Sequence, residues 1–170
     1  MQPSLINEHM LATLGELAAT TPYGAIVEVG VYRGGSAEVL YKVATTQGRR
    51  IYLFDTFTGI PMQGPDDVHQ VGDFSDGITA EEARRLFPEA NVAAGVFPET
   101  LDYTGPVAFV HADADQYQST RDICEYFSPR MVAGGCMVFD DYSLPGCRRA
   151  IMECFPEHDV LPDCRAMVRF

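Results

Sequence analysis

The sequence predicts an α/β fold, a Rossmann-like, mostly parallel seven-stranded sheet with helices on both faces. Short apolar runs of strand length alternate with segments of helical period along the chain. Several runs, 106–112 and 131–139 among them, are largely apolar, as strands covered on both faces must be. Glycines and acids gather just after these runs, where open parallel sheets bind their ligands.

Each element has its own signal. Residues 4–19 carry Leu5, Ile6, Met10, Leu14, Leu17 and Ala18 at helical spacing, and Thr20, Thr21, Pro22 and Gly24 break the pattern. Residues 25–31 read as the first strand, the turn Arg33, Gly34, Gly35, Ser36 follows, and 37–46 is helical. Residues 50–55 form the second strand, and 57–77 is a long turn-rich segment with Gly59, Pro61, Gly64, Pro65, Gly72 and Gly77. Thr79 followed by Glu81 and Glu82 marks a helix start, and that helix ends near Phe87 and Pro88. Residues 92–96 are a weak third strand, 106–112 the fourth, 119–127 a helix, 131–139 the fifth strand and 146–155 another helix. Two short strands, 160–161 and 166–170, close an edge.

The 170 residues suit one domain spanning 1–170, with no repeat or linker. A hydrophobic content of 46% beside 21% charged residues is that of a soluble globular chain. No stretch reaches the roughly 20 apolar residues that span a bilayer, and the N-terminus lacks a secretory signal, so no membrane partner and a cytoplasmic location are expected. A net charge of −12 argues against a nucleic-acid partner. The pairs Arg49–Arg50, Arg84–Arg85 and Arg148–Arg149 are scattered and read as solvated surface. The five cysteines form no Cys-x-x-Cys pair, which predicts reduced thiols rather than a zinc site, with Cys136 a small core residue.

Two clusters carry the chemistry. The first joins strand one to its helix: Glu28, Gly30, Tyr32, Gly35 and Ser36, with Asp55 ending strand two and Phe57 following it. Glycines let a backbone approach a ligand, and an acid after strand two is placed to accept hydrogen bonds from ribose hydroxyls. After Gly30 the next glycines are Gly34 and Gly35, which breaks the Gly-x-Gly-x-x-Gly spacing of dinucleotide sites. Glu28 is costly to bury alone and calls for a ligand amino group or a structural partner such as Arg33. Phe57, Phe74 and Phe97 are candidates to flank an adenine or to fill the core. The second cluster is Asp113 and Asp115 after the fourth strand, with Asp140 and Asp141 after the fifth. Four carboxylates there repel one another unless a cation or a hydrogen-bond network satisfies them, and a hard divalent ion is the simplest resolution. Surface acids capping the helices at 116–119 and 143–146 are the plain alternative. His111 is open to two readings, a base or a hydrogen-bonded core histidine, and His69 reads as a loop residue of a segment long enough to be a lid.

The ordered set 27–36, 55–61, 111–120, 139–142 and 145–150 resembles the macrocin and mycinamicin O-methyltransferases, class I enzymes dependent on S-adenosylmethionine and a metal that act on antibiotic sugars. The resemblance runs from about residue 24 to 155. It implies an S-adenosylmethionine site at Glu28, Gly30, Tyr32, Gly35, Ser36, Asp55 and Phe57. It also implies Mg2+ held by Asp113, Asp140 and Asp141, with Asp115 the alternative to Asp113, and Asp113 or His111 as proton acceptor. The acceptor it implies is a hydroxylated small molecule, a sugar or glycosylated natural product. Enzymes of this family are longer, with extra N-terminal and lid segments. An open acceptor site, walls borrowed from a partner subunit in a homo-oligomer, or a different acceptor is therefore expected. A non-catalytic cofactor-binding or assembly module is the alternative from another class, and a dinucleotide-dependent oxidoreductase ranks below it.

Overall fold

Seven strands form one sheet in the computed structural model, which describes residues 2–100 and 103–170. They are β1 (Ala25–Val29), β2 (Ile51–Asp55), β3 (Asn91–Ala94), β4 (Val107–Ala112), β5 (Met131–Phe139), β6 (Asp159–Val160) and β7 (Ala166–Arg169). Their order across the sheet is β3-β2-β1-β4-β5-β7-β6. The first five in sequence run parallel, and β7 runs antiparallel to both β5 and β6. Strand order reverses between β1 and β4, which opens a crevice at their carboxyl ends.

The helices are α1 (Glu8–Thr20), α2 (Gly35–Thr46), α3 (Ala80–Leu86), α4 (Tyr117–Phe127) and α5 (Pro145–Cys154). Side-chain alternation along the strands divides the core. Ile26, Leu53, Phe109 and Val138 pack with Leu14 and Ala18 of α1 and with Ala37 and Leu40 of α2. Val27, Phe54, Val110 and Phe139 pack with Ile123 and Phe127 of α4 and Ile151 of α5. The period-two alternation of a strand thus serves both faces with apolar residues, and β1 and β4 are buried along their whole length.

Several boundaries move, each for a local reason. The first helix begins at Glu8 rather than residue 4, because Asn7 caps it by accepting from the Met10 N–H at 3.0 Å. Residues before it form an arm, with Ser4 accepting from the Ile6 N–H. The third strand stops at Ala94 because Gly95 turns away at φ 137°. The α3 start is as expected, a capping box between Thr79 and Glu82. Arg49 corrects the view of the arginine pairs as solvated surface. It is buried, donating to the carbonyls of Ala18 and Gly24, and so joins the end of α1 to the start of β1. Cys136 is a buried core thiol in β5, and all five cysteines are free. Among the described residues no helix is long and apolar enough to cross a membrane.

Candidate functional site

The crevice is a cavity of about 290 Å³ at the carboxyl ends of the parallel strands. Its first wall is the turn after β1. Gly30 takes φ 97°, and a Cβ there would stand 1.7 Å from the Asp113 carbonyl oxygen, so only glycine lets the β1 and β4 ends meet. Tyr32 follows in the left-handed region at φ 48°. Asp55 holds this turn in place. Its Oδ2 accepts from the N–H groups of Val31 at 2.7 Å and Tyr32 at 3.0 Å, and its Oδ1 from Phe57 N–H at 2.7 Å. The acid expected to meet a ribose is therefore first a clamp on two loops, with spare lone pairs facing the cavity.

The second wall is acidic. Asp113, Asp115, Asp140 and Asp141 all line the cavity. Enclosure and the facing charges of Asp141 and Asp140 hold the Asp113 pKa well above the usual carboxylate range. Enclosure, then Asp140 and Asp55, push Asp115 up to about 6. Enclosure and the Asp115 charge push Asp141 up to about 7, although the Asp115 N–H donates to Asp141 Oδ2 at 2.9 Å. Asp115 sits in the left-handed region at φ 59°, which folds its own N–H onto Asp141.

The turn-rich segment 57–77 lies against this wall. Gln116 donates to the Met62 carbonyl, and Asp67 Oδ1 accepts from the Tyr117 N–H at 2.7 Å. Arg149 pairs with Asp66. His69 brings Nε2 to 3.5 Å from Asp115 Oδ1 and leans its ring edge on Phe74. Phe74 in turn meets Tyr32 edge-on at 5.6 Å.

Gly30, Tyr32, Gly35, Ser36, Asp55, Asp113, Asp140 and Asp141 are thus brought to one cavity, whereas Glu28, His111 and Phe57 line no part of it. Glu28 and His111 are fully buried and paired, His111 Nδ1 standing 2.9 Å from Glu28 Oε1. The partner of Glu28 is therefore His111 and not Arg33, which bonds Asp76 instead. Burial alone would lower the His111 pKa, but the Asp140 and Glu28 carboxylates outweigh it and push it up to about 10. Phe57 packs against the core beside α2, Phe97 is in the core and touches the cavity, and Phe74 lines it.

Sequence reasoning missed two parts of the wall. The arm 3–7 crosses the cavity near Gly35, where a Cβ would meet the Ser4 side chain, and no motif signals it. Gly95 and Val96 line the cavity after β3 beside Phe97, itself a candidate from the sequence, as the carboxyl-end rule for parallel strands would have indicated.

The acids fit a hard divalent cation by donor chemistry: oxygen ligands, like-charged and crowded at one wall. Among the described residues no three His, Cys, Asp or Glu side chains close on one ligating point. The glycine turn and Asp55 suit a nucleoside, since both line the cavity.

Comparison with known proteins narrows the class. The chain is 34% identical over 151 residues to a protein of Streptomyces olivaceus named 8-demethyl-8-(2,3-dimethoxy-alpha-L-rhamnosyl)-tetracenomycin-C 4'-O-methyltransferase, covering 75% of this chain and 56% of that one. It is 29% identical over 159 residues to the Mycinamicin III 3''-O-methyltransferase of Micromonospora griseorubida, covering 81% and 62%. The chain thus spans little more than half the length of these relatives. The structure of the O-methyltransferase NovP has the same fold, with a TM-score of 0.80 at 24% identity over 98% of this chain and 81% of that one. A family model described as Macrocin-O-methyltransferase (TylF) matches residues 7–166, which takes in both walls of the cavity, and the chain belongs to that family.

Proposed function

We propose that this chain carries the S-adenosylmethionine-dependent methyl-transfer site of an O-methyltransferase whose acceptor is a hydroxyl of a glycosylated natural product. One observation carries the reading. A nucleoside-type turn and an acidic wall face the same cavity, in a chain of a family whose named relatives methylate sugar-bearing compounds. S-adenosylmethionine supplies a methyl carbon made electrophilic by its sulfonium sulfur. A divalent cation, taken here as Mg2+, supplies a fixed positive point that favours loss of the acceptor hydroxyl proton.

The chain's residues do the rest. Asp113, Asp140 and Asp141 are assigned to the cation, because their crowding is relieved by a positive charge between them. Asp55 and the Gly30–Ser36 turn hold the cofactor side, the clamp on Val31 and Tyr32 fixing the turn before any ligand arrives. The proton goes to Asp115 rather than Asp113 or His111. Asp115 lines the cavity and is not among the acids assigned to the cation, so its carboxylate is free to accept the proton. His111, enclosed behind the wall, has no access to an acceptor. Asp113 is taken up by the cation.

Calorimetric titration of S-adenosylhomocysteine into metal-free protein, repeated with saturating Mg2+, tests this. Saturable binding at one site per chain, followed by Mg2+-dependent methylation of a glycoside panel, is the expected result. No binding under either condition overturns the reading in favour of a module that keeps the sheet without the cofactor.

A further inference from the structure

A row of ionisable side chains crosses the sheet just behind the acidic wall, and strand register builds it. Glu28 on β1 pairs directly with His111 on β4. Phe139 at the end of β5 pairs with Ala166 at the start of antiparallel β7, so the next residues outward, Asp140 and Arg165, stand side by side. Alternation places all four on one face of the sheet, continuing the positions of Ile26, Phe109, Val138 and Met167. Their charges alternate along the row: acid, base, acid, base.

Arg165, Glu28 and His111 are fully buried. Asp140 Oδ1 lies between the two bases, 3.7 Å from His111 Nε2 and 4.0 Å from Arg165 Nε. That oxygen is buried and makes no hydrogen bond, and neither do Nε and Nη1 of Arg165. The far end of Arg165 is anchored separately, Nη2 donating to Asp163 Oδ2 at 2.6 Å. Asp140 also lines the cavity, so it belongs both to the row and to the wall. Arg165 touches the cavity nowhere.

We propose that Arg165 is a positioning residue that holds one oxygen of Asp140 under the cavity floor and leaves the other for the divalent cation, an inference that rests on the cation reading above. A buried guanidinium is costly unless it answers a buried charge. Among the described residues the acids that pair with Arg165 are Asp163, already bonded to Nη2, and Asp140. The positive charge of Arg165 also repels a divalent ion, so the two effects oppose. Position decides the sign. Without Arg165 the inward oxygen of Asp140 is left with the His111 ring, whose charge Glu28 shares, and two buried acids then face one base, so the carboxylate is no longer held with one oxygen inward and one toward the cavity.

Mn2+ titration followed by electron paramagnetic resonance, on the parent, Arg165→Met and Arg165→Lys, tests this, with S-adenosylhomocysteine affinity and thermal unfolding measured in parallel. Arg165→Met is expected to weaken Mn2+ binding by about tenfold or more, as loss of a partner behind a metal ligand does, with cofactor affinity unchanged. Arg165→Lys, which keeps the buried charge, is expected to stay within about threefold of the parent. Parent-like Mn2+ affinity in Arg165→Met, or a parallel fall in cofactor affinity, overturns the proposal. Should Arg165→Met not fold, Arg165→Lys decides, because a folded Lys variant that has lost Mn2+ binding also overturns it. A parent that binds no Mn2+ but does bind S-adenosylhomocysteine removes the cation reading and this inference with it, while leaving the cofactor site standing.

Discussion

Asp115 shows how one residue takes its role from its surroundings. Its left-handed backbone spends its N–H on Asp141, and its carboxyl group is left facing the cavity among other acids. That position, on the cavity and apart from the three acids assigned to the cation, suits a proton acceptor. Asp115→Asn should lower kcat by about 10²-fold or more while leaving S-adenosylhomocysteine affinity unchanged, measured by steady-state kinetics and calorimetry. A kcat within a factor of about three of the parent would return the proton to another group. Spacing alone left Asp113 and Asp115 open as alternatives. Both line the cavity, Asp113 at the strand end beside Gly30 and Asp115 two residues on in the left-handed region.

At the scale of elements, helix α4 depends on a residue far away in sequence. Its own cap position, Gln116, makes no side-chain capping bond, and Asp67 from the 57–77 segment accepts from the Tyr117 N–H instead. Asp67 Oδ2 also accepts from Gly64 N–H at 2.8 Å, so one carboxylate ties the segment to itself and to the helix. Gly146 at the start of α5 leaves room for this contact, since a Cβ there would stand 2.5 Å from Asp67 Oδ1. Asp67→Ala should therefore cost about 1 kcal/mol of stability, the usual loss for a helix cap, seen as a lower Tm. It should also speed proteolytic nicking within 57–77. An unchanged Tm together with unchanged nicking would show that Gln116 and Arg149 hold the segment without it. The helix start two residues earlier than expected has the same cause: the cap arrives from elsewhere in the chain, where no local pattern records it.

Across the whole molecule the acidic wall sets a dependence on pH. Folded-state pKa values of Asp115 and Asp141 lie above those of the unfolded chain, at about 6 and about 7. The native state thus binds protons that the unfolded chain has already released, and stability from this source, complete at low pH, is lost as pH rises through those values. Metal-free protein should show a Tm contribution that falls from about pH 4, where the unfolded carboxylates begin to ionise, and levels off above about pH 7, where the folded ones have done so too. Mg2+ affinity should run the other way, tightening over the same window, because the ligands must lose protons to serve. Thermal unfolding with and without Mg2+ across that range measures both. A flat Tm in metal-free protein would mean that the carboxylates are already satisfied by groups such as Arg165 and His111.

The sequence by itself determined the sheet, its helices, and the collection of acids and glycines at the carboxyl ends of the strands. These follow from local apolar periodicity and from short-range turn chemistry, both written in consecutive residues. The resemblance of ordered motifs pointed to the family. Only the tertiary structure decided the pairing of Glu28 with His111, the placing of Arg165 beside Asp140, the cap that Asp67 lends to α4, and the burial of Arg49. Each joins residues far apart in sequence through strand register or loop packing. A buried charge finds its partner only when distant strands meet, so the pairing is a property of the folded chain rather than of any segment.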